Sequence, residues 1–178
     1  MKSLLRLLLP ALLLFTTLAT AEVPRLRKIA IADTGATAYF PGEPEFKKNL
    51  SEDGSEVFTT ELEAAGQHYG LILVRLKASL QGDSESREPM LWSYMEFLQQ
   101  SVFELTDTVP PGYGHRLDSA PQARGILSMG EDAAGEQYWI KGWTDGRLMA
   151  VLYLHAPQEP NINLVNLYLD SFRFPAGP

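Results

Sequence analysis

Between residues 56 and 64 the chain alternates, with Phe58, Thr60, Leu62 and Ala64 on one side and Thr59, Glu61 and Glu63 on the other. A period of two with β-branched and aromatic residues predicts a half-buried strand. After Ala65-Gly66 comes residues 67–76, whose Leu71-Ile72-Leu73-Val74 block is continuously apolar. Such a block suits a central strand covered on both faces, and the two runs together predict a β-hairpin. Upstream, residues 28–32 (KIAIA) and 37–40 (TAYF) predict two short strands around the Asp33-Thr34-Gly35 turn.

The period then changes. Past a polar link at 79–87, Leu91, Tyr94, Met95, Leu98, Val102 and Leu105 fall on one helical face, with Met90, Trp92, Phe97 and Phe103 widening it. Ser86 is placed as N-cap and Pro89 in the first turn, where a missing N–H is tolerated. Residues 106–113 (TDTVPPGY) end this helix, because prolines and glycine cannot extend it.

Strands are predicted next at 115–119, 124–129, 136–143 and 148–154. Asp145-Gly146 predicts a two-residue type I′ turn between the last two. That turn would set Trp143 opposite Leu148, Lys141 opposite Ala150, Trp139 opposite Leu152 and Glu136 opposite His155. One face of this hairpin carries Trp139, Lys141, Trp143, Leu148, Ala150, Leu152 and Leu154; the other carries Tyr138, Ile140, Met149, Val151, Tyr153 and His155. Both are apolar enough to need cover. Ile162, Val165, Leu169 and Phe172 predict a closing helix over 161–172, stopped by Pro175. The order strands, helix, strands, helix predicts an α+β domain, an antiparallel β-sheet sandwiched between helices (α/β/α).

The first residues change the picture of where this domain works. Lys2 and Arg6 precede an apolar run at 7–18 that contains two threonines, and Ala19-Thr20-Ala21 supplies small residues at a cleavage site. This is the layout of a signal peptide over residues 1–21, too short for a spanning helix of about 20 apolar residues. It predicts a periplasmic or secreted protein without a membrane span in its mature chain, which is a single domain over 22–178. No cysteine occurs, so no disulfide staples the fold. The whole chain has 15 basic and 22 acidic residues, a net charge of −7 that loss of the leader takes to −9. That balance argues against nucleic acid as a partner.

Tyr39-Phe40-Pro41-Gly42-Glu43-Pro44 resembles the entry strand of PsbP-like domains, and Leu169-Asp170-Ser171-Phe172-Arg173-Phe174 resembles that family's terminal segment. The likeness would cover about residues 36–174. It implies the same α/β/α sandwich and a role in binding or assembly rather than catalysis. No functional residue carries over, because the matching positions are turn and core positions.

Candidate chemistry is sparse. The chain has no G-x-S-x-G, H-E-x-x-H, Walker or Rossmann fingerprint, so neither a catalytic residue nor a cofactor is assigned. His68, His115 and His155 have no mutual helical spacing, and no metal site is assigned; a cross-strand ion pair with Glu136 accounts for His155. The acidic turns at 52–56 and 131–136 lack the alternating ligands of a calcium loop. Two features remain as candidate binding residues. Trp139 and Trp143 flank Lys141, where core packing is weighed against a stacking surface. Tyr113, His115 and Arg116 lie on a stiffened Pro-Pro-Gly loop. The functional expectation is an exported, non-enzymatic binding or accessory domain, with an envelope protein or a small ligand as partner. The alternative is a small periplasmic hydrolase or small-ligand carrier.

Overall fold

The computed structural model describes residues 23–80, 83 and 86–176; the expected signal peptide lies outside the described residues. The elements in chain order are β1 (Arg27–Ala30), β2 (Thr37–Phe40), β3 (Lys47–Leu50), β4 (Glu56–Ala64), β5 (Gln67–Arg75), α1 (Glu88–Ser101), β6 (Leu105–Thr108), β7 (Gly112–Leu117), β8 (Ala120–Asp132), β9 (Gln137–Thr144), β10 (Leu148–Ala156) and α2 (Ile162–Leu169). Eight strands form one antiparallel sheet in the order β3-β4-β5-β10-β9-β8-β6. The outer edge of the long β8 is shared end to end, by β6 near Gly130–Asp132 and by β7 nearer Ala120–Leu127.

A two-residue hairpin of the primed kind does occur, at Ala65-Gly66. Ala64 pairs with Gln67, and both loop residues take positive φ, +52° and +71°. At Asp145-Gly146 the expected two-residue turn is replaced by a wider loop: Thr144 pairs with Met149, and Trp143 with Ala150. Side chains drive the difference. Asp145 Oδ1 accepts the N–H groups of Arg147 and Leu148, and Thr144 Oγ1 accepts that of Gly146 while donating to the Leu148 carbonyl. With its backbone groups satisfied this way, the wider loop holds. The register slides by two residues, so every side chain keeps the face its alternation predicts.

Those two faces carry the two cores. On one, α1 lays Leu91, Met95 and Leu98 over Ile72, Ile126, Ile140 and Val151, all buried. The helix is shorter than its apolar stripe. Val102 and Phe103 both donate to the Leu98 carbonyl, Glu104 turns to φ +51°, and Leu105 starts β6. Met90, Phe97 and Val102 remain about half exposed, so the contact is a narrow seam. The helix begins after Arg87, without a side-chain cap, while Ser86 bonds to Asp83.

On the opposite face Leu71, Leu73, Trp139, Trp143, Ala150, Leu152 and Leu154 are covered by α2 together with the β1–β2 ribbon. Ile31, Ala36, Ala38 and Phe40 of the ribbon segment are fully buried there. This overturns the α/β/α expectation. Strands hold 47% of the described residues and two helices only 15%, so the fold is a large antiparallel β-sandwich with few helices. The ribbon forms its own two-stranded sheet and lies across the large one instead of extending its edge. Alternation reveals that residues 27–40 are strands; it does not reveal which layer they join. No helix among the described residues is long and apolar enough to cross a membrane.

The two segments with the family resemblance lie side by side. Thr37 and Arg173 exchange both backbone hydrogen bonds, at 3.0 and 2.8 Å, and the Tyr39 N–H donates to Ser171 Oγ. Their role is to close the second layer over the sheet.

Candidate functional site

The six candidate binding residues do not form one surface. Trp143 is 1% exposed, and its indole N–H donates to the Leu169 carbonyl at the end of α2. Trp139 is buried in the same core. Packing under the second layer is therefore their observed environment. Lys141 lies between them along β9, its stem buried and its Nζ 5.0 Å above the Trp143 ring. Its ammonium reaches Asp170 Oδ1 at 2.5 Å, which compensates a cation whose side chain is only 8% exposed.

Tyr113 and His115 share a strand but not a face. The β7–β8 register shifts between Gly112 and His115, with Gly114 at φ +78°, a conformation glycine accepts without strain. Tyr113 therefore meets the edge of Trp92 on α1, while the Gly114 N–H donates to Glu88 at that helix's start. His115 turns to the opposite face. There His115, Arg116, Lys141, Asp170 and Arg173 line a depression of about 400 Å³. Burial lowers the His115 pKa and the Lys141 charge lowers it further, outweighing the opposing charges of Asp170 and Glu88. Arg173 is committed to the carbonyls of Asp170 and Phe172, and Arg116 is exposed at the rim.

A second constellation escaped the sequence reading. β5 lies between β4 and β10, setting Glu63 opposite His68 and His68 opposite His155, with Glu61 opposite Gly70 one step along. All these side chains share the α1 side of the sheet. The rings of His68 and His155 stack at 4.3 Å, and His155 stacks on Tyr138 at 4.6 Å. His155 Nδ1 contacts Glu136 at 2.5 Å, while its Nε2 lies 3.7 Å from Glu61 and His68 Nδ1 lies 3.3 Å from the same carboxylate. Tyr153 reaches Glu61 because Gly70 has no side chain: the ring crosses that position, and its hydroxyl donates to Glu61 Oε2 at 2.8 Å.

The neighbouring His155 holds Glu61 down to a pKa of about 2, against burial and with help from the Tyr153 hydroxyl. Burial pulls the His155 pKa down, but the bonds and charges of Glu61 and Glu136 outweigh it and the net shift is upward. Burial first, then its neighbouring carboxylates, raise Tyr138 to about 12. The expected His155–Glu136 contact is present, though His155 pairs across the strands with Tyr138. The meeting of His68 with His155 needed the β5–β10 pairing, which no local pattern announces.

No family model matches this chain, and no curated protein matches it. Nothing in these comparisons links it to the PsbP family.

Proposed function

We propose that this chain is an exported, non-enzymatic binding or accessory domain whose contact surface is the depression at His115, Arg116 and Lys141. Lys141 supports the reading best. It is a cation fixed by burial and by Asp170 beside an exposed arginine, in a chain whose net charge is −7. Arg116, Lys141 and Arg173 outnumber Asp118 and Asp170 around the depression by one, and a weakly positive site on an acidic protein suits an acidic group of an envelope protein or small ligand. The segment at 1–21 supports an address outside the cytoplasm.

The test is recovery of partners from an envelope extract on immobilised protein. Wild type should retain a specific species that added salt releases, and Arg116→Glu should reduce its recovery about tenfold or more, in line with the cost of a like charge at an interface. Recovery that is undiminished by Arg116→Glu contradicts the assignment. The convergence of His68 and His155 on Glu61 favours a second reading, a small-ligand carrier.

A further inference from the structure

We infer that Glu61, His68 and His155 form a binding site for a divalent first-row transition ion, with Glu136 and Tyr153 orienting two of the ligands. One ligand atom from each of the three residues lies within 4.8 Å of the others. Ligands about 2.1 Å from a tetrahedral ion stand roughly 3.4 Å apart. The Glu61 carboxylate already lies near that from both rings, its Oε1 3.3 Å from His68 Nδ1 and its Oε2 3.7 Å from His155 Nε2. The two imidazoles are stacked nearly parallel, so His68 has to tilt off its stack to aim a lone pair, which lies in the ring plane, at the same ion.

The supporting groups are those a metal site requires. A ligating histidine commonly donates its second ring N–H to a carboxylate, which fixes the tautomer and aims the other nitrogen at the ion. His155 has that arrangement: Nδ1 is engaged by Glu136 and Nε2 points toward Glu61. Glu61 is held in turn by the Tyr153 hydroxyl. The site stands on three neighbouring strands, so the register sets its geometry and no mobile loop is needed. His68 is 31% and Glu61 43% exposed at the side chain, which leaves an entry path. Two imidazoles and one carboxylate suit zinc, nickel, copper or iron over calcium or magnesium, whose ligands are oxygens. Three protein donors leave a coordination position open to solvent or to an acidic group of a ligand.

The site is independent of the depression beside Lys141, and the experiment separates them. Untagged protein is titrated with Zn²⁺ alone by calorimetry, and the histidine ring resonances are followed by NMR. The expected result is one Zn²⁺ per chain, with shifts of His68 and His155 and not of His115. Calcium should give no saturable binding. His68→Ala and Glu61→Gln should each weaken binding at least about tenfold, and Glu136→Gln by roughly 10–100-fold. His115→Ala should leave it unchanged. The ring resonances of the wild-type protein decide the question even if a variant fails to fold. Absence of saturable zinc binding, shifts confined to His115, or undiminished binding by Glu61→Gln would each overturn the site.

Discussion

Trp143→Ala is expected to lower the stability of the fold by about 3–5 kcal/mol, the range for removing a large aromatic from a packed core. Trp143 sits where three layers of contact meet. Its ring covers Gly125 on β8 so closely that a Cβ there would lie 2.4 Å from the indole. Its N–H holds the Leu169 carbonyl at the end of α2, at 3.2 Å. Its face lies under the Lys141 ammonium. Alanine leaves a cavity, strands a buried carbonyl at a cost of about 1–3 kcal/mol, and loosens the short helix that carries Asp170. Because domains of this kind have only about 5–15 kcal/mol in reserve, the variant should unfold at much lower urea, with an unchanged slope. A loss below about 1 kcal/mol would show that the second layer does not depend on this residue.

On the other face the sensitive position is a glycine. Gly142 lies directly beneath α1, and a Cβ there would meet Met95 Sδ at 2.3 Å and Leu91 Cδ1 at 3.0 Å. Gly142→Val should cost about 2–3 kcal/mol through overpacking, and Met95→Ala alone about 2–5 kcal/mol through the cavity it leaves. The double variant should cost less than the sum, because the added methyls occupy space the sulfur vacates. A coupling of about 1 kcal/mol or more is expected for residues in contact. Strict additivity would mean that α1 does not rest on β9 here. Denaturant titration of the four proteins measures the cycle.

These two residues also show how much of the architecture was legible. Trp143 and Gly142 sit on opposite faces because strands alternate, and the run from Tyr138 to Leu154 announced both faces without any coordinates. The core of α1 was legible for the same reason, as Leu91, Met95 and Leu98 recur at helical spacing. Its end was not: Leu105 fits the stripe, but Glu104 at positive φ turns it into a strand. Strand β3, Lys-Lys-Asn-Leu, is wholly exposed and carries no periodic signal. The ribbon's destination and the β5–β10 pairing are non-local contacts, and local pattern is silent on them. The α/β/α expectation failed on the first of these, and the histidine cluster escaped notice on the second. Of the candidate site, loop chemistry pointed to His115 and Arg116; burial now separates them from Trp139 and Trp143, and the β7 register shift separates them from the exposed Tyr113.

On the proposed function, this domain meets its partner at the depression beside Lys141. Site-specific photo-crosslinking in the cell that makes the protein tests it most directly, with the probe at Asp118, an exposed position lining the depression, and a control probe at Lys47 on the opposite edge strand. A discrete adduct from position 118, absent from position 47 and lost when Arg116→Glu is added, is the predicted result. The same adducts from both positions, or one at 118 that survives Arg116→Glu, would contradict it.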